Sequence, residues 1–472
     1  MRTRWAVAAL VAALGLPAVT VEAAEDPRDE NRYIVRIDER LNGLTTIELV
    51  CRLVGCDVRR PLDADSGGSV FLVDSLLPLR LDDFLGPLLR LLGVASAERD
   101  LRLALAGDTR VDQESDAMLD YLWRRTPTSY YGTTVWEGYL EQPAVSIIRL
   151  AEAQRDFGAT GTGVVAIIDT GVDPSHPALS KVIVPGYDFT RNTPGGDERA
   201  DLGQESAAVL DQESAAVLDD TDPHRVNQES AAVLDQESAA VLDNPDFAAF
   251  GHGTMVAGVV HLAAPTAGIM PLKAFRADGT GYTSDIVRAI YYAAARGVKV
   301  VNMSFSRATP SPEIARAVNL AVRAGALPVA SAGNEGVRAL RWPAALANVV
   351  GVASTRNSDV RSRFSNYGSD LVWLSAPGEG VITTFPLGSY AAVWGTSFST
   401  PFVAGAAALL ASTADSYSDA ATALGHAKAL RDADLGCGRL DVYEVVRAKR
   451  RTTSSLLGLL SLASREATCE AR

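Results

Sequence analysis

Three short stretches of this sequence carry side chains that together could perform nucleophilic catalysis. Asp169 ends the apolar run VVAIID, His252 lies between two glycines in GHGTMVAG, and Ser397 stands near the start of GTSFSTPFVAGAAALL. A serine hydroxyl becomes a strong nucleophile when a histidine takes its proton, and a carboxylate can orient that histidine. These residue types therefore indicate acyl transfer if the fold brings them together.

Each of the three residues also has an ordinary structural role when it is taken alone. An aspartate after a strand or a serine before a helix can be a helix cap, and a lone histidine is usually structural. Here all three stand at predicted element boundaries in glycine-rich surroundings. Pro401 is expected within the first turns of the helix after Ser397, where backbone N–H groups lack partners. The combination favours one site over three unrelated caps.

The elements that would position these residues alternate between strand-like and helical runs from about residue 146 to residue 448. The strand candidates are GVVAIID, AGIMPLKAF, VKVVNMSF, ALPVASAG and NVVGVAS, and SDIVRAIYYAAARG has helical spacing. Such alternation predicts an α/β fold with a mostly parallel sheet covered on both faces. The carboxyl end of a parallel strand, where Asp169 lies, is where such sheets place their sites.

The region before this sheet predicts a separate small domain. Residues 32–106 read as strand, helix, strand, strand, helix and strand, which is the order of a small α+β ferredoxin-like domain. Residues 107–145 are rich in turn residues and read as a connector. Residues 449–472 are basic, then apolar, then polar, and we expect a surface appendage there.

The three motifs resemble those of the subtilisin-like serine proteases, the subtilases, in the order Asp, His, Ser. The resemblance covers roughly residues 150–448. It implies a three-layer α/β/α fold and peptide hydrolysis through an acyl-enzyme, with Asp169, His252 and Ser397 as the catalytic triad. The stretch ASAGNEG resembles the oxyanion-hole segment of the family and implies that role for Asn334.

The same resemblance implies where a polypeptide substrate would bind. VNMSFS is similar to the substrate-binding edge strand, so Ser304, Phe305 and Ser306 would lie along one side of the first specificity pocket. Tyr282 lies where relatives place an opposing rim. The family often has Leu-Gly-Gly after the first of these serines, whereas this chain has Phe-Ser-Arg, so the preference of the pocket stays open.

The N-terminus predicts export. Arg2 and Arg4 precede an apolar run, and Val21 and Ala23 are small residues at the right offset for cleavage, so residues 1–23 read as a signal peptide. No later stretch reaches 18 uninterrupted apolar residues, and we predict no membrane span. The expected location is outside the cell or in a periplasm.

The small N-terminal domain resembles the inhibitor-like propeptide of the subtilases. This resemblance rests on the order of its elements and implies a propeptide over residues 24–106. A processing region over 107–145 and a subtilisin-like peptidase domain over 146–448 would follow. The chain would then be a self-processing precursor whose partners are polypeptide substrates and its own propeptide.

Charge and cysteine content exclude some classes of function. The chain has 472 residues and a formal charge of −13, of which the segment 201–247 carries −11, so no basic face for nucleic acid is expected. The four cysteines, Cys51, Cys56, Cys437 and Cys469, permit disulfides in an exported chain. Pairing 51 with 56 and 437 with 469 closes the shorter loops, and the other pairings stay open. No zinc motif is present.

An acidic repeat lies between Asp169 and His252 in the sequence. The octapeptide QESAAVLD occurs four times within 204–243, inside an expected insertion over 192–247. A solvated surface loop, a flap near the cleft and an acidic calcium site are three interpretations of it. The repeat lacks the Asp-x-Asp-x-Asp-Gly order of a known calcium loop. We expect no cofactor for catalysis and no metal ligands among the site residues, and a structural calcium ion is left open.

Three other functions compete with peptide hydrolysis by a triad. A catalytically silent relative would bind peptides through the same edge strand, but the residues of the triad and Asn334 are all present. A serine-carboxyl peptidase on the same fold would need Glu and Asp where His252 and Asn334 stand. A secreted esterase would need a G-x-S-x-G elbow, which the sequence around Ser397 lacks.

Overall fold

Two sheets of different size organise the part of the chain that the structure describes. The computed structural model describes residues 31–63, 68–75, 85–105, 121, 124–202, 247–411 and 417–454. The predicted signal peptide, the four octapeptides and the end of the tail lie outside these residues.

The N-terminal unit has the predicted order of elements. Its elements are β1 (Arg32–Ile37), α1 (Gly43–Val54), β2 (Cys56–Pro61), β3 (Val70–Ser75), α2 (Leu85–Leu91) and β4 (Val94–Arg99). The four strands form an antiparallel sheet in the order β2-β3-β1-β4. Strand side chains alternate between faces. Tyr33 and Val35 therefore pack with Ile47 of α1, whereas Ile34 lies in a second core with Ile286.

A disulfide closes the turn between α1 and β2. Cys51 is bonded to Cys56, which is one of the two pairs that close the shorter loops. Cys437 is also disulfide-bonded. Cys469 lies outside the described residues.

The larger unit is built on a sheet of eight strands. They are β8 (Val164–Asp169), β9 (Tyr187–Asp188), β10 (Thr193–Pro194), β11 (Gly268–Lys273), β13 (Val300–Met303), β14 (Leu327–Ser331), β15 (Val350–Thr355) and β16 (Leu374–Pro377). Their order is β10-β9-β11-β8-β13-β14-β15-β16, and every pair except β10–β9 is parallel. The mostly parallel sheet of the prediction is therefore observed.

Helices cover both faces of this sheet. They are α6 (His252–Ala263), α7 (Thr283–Ala295), α8 (Pro312–Arg323), α9 (Thr396–Leu410), α10 (Tyr417–Leu424) and α11 (Val442–Ser454). Val165 and Ile167 of β8 lie in one core with residues of α6 and α9. Ala166 and Ile168 lie in the other core with residues of α7 and α8. This alternation gives the three layers, and the central strand is apolar on both faces because both are buried.

Residues 127–145 belong to the peptidase unit, and the connector prediction is wrong for them. They form β6 (Pro127–Tyr130), β7 (Thr133–Trp136) and α3 (Glu137–Glu141), followed by α4 (Pro143–Ile147) and α5 (Leu150–Phe157). Tyr139 is fully buried, and its hydroxyl donates to the carbonyl of Gly258 at 2.7 Å. The hydroxyl of Tyr130 donates to the carbonyl of Leu262 at the same distance. These bonds tie the segment to α6, so the turn residues mark a packed hairpin.

The N-terminal unit caps two helices of the peptidase unit. Asp100 accepts from the backbone N–H and the hydroxyl of Ser284, in the first turn of α7, at 2.7 and 2.8 Å. Glu98 accepts from the hydroxyl of Ser311, the N-cap of α8, at 2.7 Å. The predicted last strand is therefore broken at Asp100, and the chain resumes as β5 (Arg102–Ala104).

Strand β5 pairs with the peptidase unit. It runs antiparallel to β12 (Thr280–Tyr282), with Leu103 opposite Gly281, and the backbone N–H of Leu105 donates to Gly279. The side chain of Leu103 is buried in the core that contains Phe275 and Ile286. The last described residues of the N-terminal segment thus lie extended along the edge strand of the peptidase unit.

Both ends of the insertion are tied to one residue. Asp201 closes a short 3-10 helix, Glu198–Asp201, and its carboxylate accepts from the backbone N–H of Ala277 at 2.8 Å. On the far side, the N–H of Ala249 donates to the carbonyl of Ala277 at 2.8 Å.

The remaining strands form a hairpin, β17 (Val381–Phe385) with β18 (Ser389–Val393). In the part of the chain described here, no helix is long and apolar enough to cross a membrane.

Candidate active site

Asp169 and His252, the predicted carboxylate and base of the triad, are in direct contact. Asp169 is the last residue of β8 and is fully buried, and its Oδ1 lies 2.7 Å from Nδ1 of His252. The same Oδ1 accepts from the backbone N–H of Thr170 at 2.8 Å. His252 is the first residue of α6, and its side chain keeps a small exposed fraction, 10%. A carboxylate so placed holds the Nδ1–H tautomer of the imidazole.

The two glycines around the histidine allow close packing, as the sequence suggests. Gly251 has a φ of 91°, in the left-handed region, and forms the N-cap of α6. A Cβ on Gly253 would lie 1.9 Å from the carbonyl oxygen of Gly171. Any larger residue would therefore push the helix start away from the end of β8.

Ser397 is the second residue of α9, and the residue after it contacts His252. Its neighbour Phe398 has its ring 5.4 Å from that of His252. The Oγ of Ser397 donates to the carbonyl of Ser304 at 3.1 Å. The backbone N–H of Ser397 is among the four at a helix start that have no partner within the helix.

Pro401 lies beyond the first turn of α9, and the expected reason for its tolerance is wrong. The helix begins at Thr396, so the carbonyl of Ser397 would normally accept from the N–H of residue 401. Proline has no N–H. Instead, the hydroxyl of Ser304 donates to the Ser397 carbonyl at 2.8 Å. A side chain from β13's end thus replaces the missing helical bond.

The amide of Asn334 has a defined orientation. Its Oδ1 accepts from the backbone N–H of Thr396 at 2.9 Å and from the Thr396 hydroxyl at 2.8 Å. A backbone N–H can only donate, so the atom facing it must be the oxygen. The Nδ2 group is therefore turned toward Gly395, where it lies 3.5 Å from the position of a Cβ.

The predicted substrate-binding residues have different surroundings. Ser304 and Phe305 are buried, and the Phe305 ring packs against Phe275 at 5.2 Å. Ser306 is half-buried, and its Oγ lies 3.1 Å from where a Cβ on Gly333 would be. Ser306, on the predicted side of the first pocket, thus lies close to Gly333 of the stretch ASAGNEG.

Tyr282 lies on the opposite strand, β12. It is opposite Arg102 of β5, and the guanidinium of Arg32 lies 4.2 Å from its ring centroid. The guanidinium of Arg276, in the peptidase unit, lies 5.5 Å from the same centroid, so residues of both units surround this ring.

Sequence reasoning missed a second buried carboxylate beside the pair. Glu198 is fully buried and accepts from four donors around Asp169 and His252. Burial raises its pKa to about 7, and hydrogen bonds from Thr170 and Thr254 oppose the rise. Its sequence context, GGDERAD, is turn-like and gives no signal of a site.

Lys273 was also missed, although a lysine at the end of the apolar run GIMPLK is a usable signal. It is fully buried, and its Nζ donates to the carbonyl of Thr170 at 2.5 Å and to Asp201 at 2.6 Å. The buried cation is therefore paired and hydrogen-bonded, as burial requires.

The described residues contain no group of three His, Cys, Asp or Glu side chains that could hold a metal ion. The repeat segment lies outside them, so the question of a structural calcium ion stays open.

Comparison with known proteins identifies the family. A profile of the subtilase family matches residues 161–434. Thermitase from Thermoactinomyces vulgaris is 33% identical over 277 residues, which is 56% of this chain and 81% of that protein. The thermophilic serine proteinase of Bacillus sp. (strain AK1) is 34% identical over 258 residues, 52% of each chain. Subtilisin BL from Lederbergia lenta is 39% identical over 178 residues, 36% of this chain and 66% of that one.

The chain belongs to the subtilase family. It is a serine-type endopeptidase, and the predicted family, fold class and enzyme class are confirmed. The profile covers the strand that ends in Asp169 as well as the helices that carry His252 and Ser397. The individual roles of these residues stay predictions.

Proposed function

We propose that this subtilase is an exported, self-processing precursor that hydrolyses peptide bonds with Ser397, His252 and Asp169. One observation carries the proposal: a buried carboxylate lies 2.7 Å from Nδ1 of His252, beside the helix start that bears Ser397. This arrangement leaves Nε2 of the imidazole as the atom that can accept a proton.

In the first step, the Oγ of Ser397 attacks the carbonyl carbon of the scissile bond while His252 takes the hydroxyl proton. The carbonyl π electrons move to oxygen, and Asp169 stabilises the imidazolium. When the intermediate collapses, the C–N bond breaks and His252 gives its proton to the leaving amine. Water then repeats the sequence on the acyl-enzyme and releases Ser397.

The negative oxygen of the intermediate needs donors that are already in place. The Asn334 amide, turned by Thr396, and the backbone N–H of Ser397 are the groups that we assign to this role. Loss of one such donor costs about 10²–10³ in kcat.

The substrate would bind by strand addition between β12 and the segment Ser304–Ser306, with Phe305 supporting that segment from the core. The pairing of residues 102–104 with β12 supports this, because it is an extended peptide on the same edge. Tyr282 would form the rim of β12.

The same pairing supports self-processing. The N-terminal segment pairs with the edge strand from Arg102 onward, and Leu105, whose N–H donates to Gly279, lies just before the predicted processing region in sequence. We therefore expect the cut shortly after Leu105, at the boundary between 24–106 and 107–145, with the N-terminal unit acting as the propeptide.

Export to the cell exterior or a periplasm is supported by the sequence of residues 1–23 and by the Cys51–Cys56 disulfide. Disulfides persist mainly in oxidising compartments.

The test is the intact mass and peptidase activity of three purified full-length proteins: wild type, Ser397→Ala and Ser399→Ala. Ser399 is a matched control, since it lies in the same helix, is fully buried and has no hydrogen-bond partner for its Oγ among the described residues. We expect wild type and Ser399→Ala to lose the N-terminal unit and to cleave a peptide substrate. Ser397→Ala should stay full length and inactive.

Two outcomes would contradict the proposal. If Ser397→Ala is processed in the same pure preparation, another residue is the nucleophile. If all three proteins stay intact and inactive, the silent peptide-binding alternative gains support.

A further inference from the structure

We propose that Glu198 is a positioning residue that holds Asp169 and His252 in register. The inference rests on the proposed function, since it assigns Glu198 to the same catalytic pair. Glu198 lies on the short 3-10 helix just before the repeat insertion, 53 residues from Gly251 in sequence.

Both oxygens of the Glu198 carboxylate are used in the same way. Oε1 accepts from the backbone N–H of Gly251 at 2.8 Å and from the hydroxyl of Thr170. Oε2 accepts from the backbone N–H of Thr254 at 3.1 Å and from its hydroxyl at 2.6 Å. Each oxygen therefore has one backbone donor and one hydroxyl donor.

These donors flank the catalytic pair on both sides. Gly251 precedes His252, Thr254 follows it in the first turn of α6, and Thr170 directly follows Asp169. The hydroxyl of Thr170 also accepts from the backbone N–H of Gly253 at 2.9 Å. The carboxylate thus joins the end of β8 to the start of α6, the two elements that carry the 2.7 Å contact.

The role goes beyond that of a helix cap. Gly251 is the N-cap of α6 and has no side chain, so Glu198 supplies the side-chain acceptor that a helix start needs. A cap alone would not need the bond to Thr170. The side chain of Lys273 also binds Thr170, because its Nζ donates to the backbone carbonyl of Thr170 at 2.5 Å. The residue after Asp169 is therefore held at its side chain and its backbone.

The substitution Glu198→Gln tests this arrangement with little change in shape. Each carboxylate oxygen of Glu198 accepts a hydrogen bond from a backbone N–H, and a backbone N–H can only donate. In either orientation of the glutamine amide, its NH2 group would face one of these N–H donors. The substitution therefore displaces the start of α6 relative to β8.

The experiment compares kcat and KM of the processed enzyme on a chromogenic peptide ending in Leu-Ala-Leu-Ala, the sequence of residues 103–106. We expect Glu198→Gln to lower kcat by about 10²-fold, because a misplaced catalytic group costs that much, with KM nearly unchanged. The low-field proton resonance of the His252–Asp169 hydrogen bond should shift or broaden. Thr254→Val removes one hydroxyl donor and should give a smaller loss of kcat.

Asp441→Asn is the matched control. Asp441 is a buried carboxylate that accepts from the backbone N–H of Glu444 at the start of α11. Its substitution should lower thermal stability and leave kcat and the proton resonance unchanged.

The proposal is overturned if Glu198→Gln and Thr254→Val lose stability as Asp441→Asn does but keep the wild-type kcat and resonance. If Glu198→Gln does not fold, Thr254→Val decides between the two outcomes. If wild type and Asp441→Asn are themselves inactive, the proposed function fails, and the resonance alone still reports whether Glu198 positions the pair.

Discussion

At the scale of single residues, two histidines on helix α6 differ in the hydrogen bonds of their ring nitrogens. His252 has Asp169 at 2.7 Å, whereas neither ring nitrogen of His261 has a hydrogen-bond partner among the described residues. His261 is fully buried, edge-on to Tyr130 at 5.6 Å. Burial lowers the pKa of His261 to about 4, and nearby His176 adds to the decrease.

This lowered pKa predicts acid instability with a definite sign. The unfolded chain binds a proton at His261 near pH 6.5, and the folded chain does so only near pH 4, so stability is present above pH 6.5 and is lost between these values. His261→Leu should remove up to about 3 kcal/mol of this loss. Urea unfolding at pH 7 and pH 4.5 measures this difference in unfolding free energy. The control is His426→Leu, at a half-buried site, which should show the pH dependence of wild type. Equal pH dependence in His261→Leu and wild type would refute the assignment.

The residues that sequence reasoning identified are those whose chemistry is written into local motifs. Asp169, His252 and Ser397 each stand in a short, glycine-rich stretch, and the structure brings Asp169 and His252 into contact. Glu198 could not be found in this way, because its donors lie 28 to 56 residues away in sequence. Lys273 pairs with Asp201 across 72 residues, so only the folded sheet joins them.

At the scale of elements, helix α9 depends on a strand for one of its own hydrogen bonds. The Ser304 hydroxyl donates to the carbonyl of Ser397, which would accept from the N–H of residue 401 in a regular helix. The predicted nucleophile, Ser397, is therefore carried on a helical turn that is completed by the predicted substrate-binding strand.

A pair of substitutions tests this dependence. Ser304→Ala should leave the Ser397 carbonyl unsatisfied and lower the free energy of unfolding by about 1–3 kcal/mol. Pro401→Ala supplies a backbone N–H that can make the helical bond. We therefore expect the double variant to be more stable than Ser304→Ala alone, with a positive coupling in a double-mutant cycle. Strictly additive unfolding energies would show that the two sites are independent.

Some element boundaries could not be predicted because tertiary contacts set them. The strand predicted to run past Arg99 breaks at Asp100, whose carboxylate binds the start of α7. Residues 127–145 carry turn residues, yet buried tyrosine hydroxyls fix them to α6. In contrast, β8 and β13 to β15 were predicted correctly, since strands buried on both faces form continuous apolar runs.

At the scale of the whole molecule, the two units share a surface in which carboxylates are buried. Arg36 of β1 pairs with Glu313 of α8 at 2.7 Å and donates to the hydroxyl of Tyr291 at 2.8 Å. Burial raises the pKa of Glu98 to about 7, and the hydrogen bond from Ser311 opposes the rise. Glu313 raises this pKa further, and Arg307 lowers it.

Docking of the N-terminal unit should therefore depend on pH. The ordinary pKa of a glutamate is 4.5 and docking raises that of Glu98 to about 7, so docking takes up a proton between these pH values. Affinity should be highest at acid pH and fall as the pH rises through about 7. We expect inhibition by the cleaved N-terminal unit to be up to about 70-fold weaker at pH 8 than at pH 5, since a difference of one in pKa corresponds to a factor of ten.

Glu98→Gln should flatten this pH profile, because its side chain does not titrate. Glu48→Gln changes an exposed glutamate on α1 and should leave the profile as in wild type. An unchanged profile in Glu98→Gln would assign the pH dependence to another group.

The attachment of the insertion at Ala277 has a genetic consequence. Asp201 binds the N–H of Ala277, and Ala249 binds the carbonyl of the same residue. These two bonds do not depend on the length of chain between residues 201 and 249. Closing a longer loop costs little extra free energy, about 0.6 kcal/mol per doubling. Unequal replication of the octapeptide-coding unit would thus lengthen or shorten the protein in steps of eight residues without moving Asp169 or His252. We expect natural variants of this gene to differ in copy number while their catalytic centres stay alike.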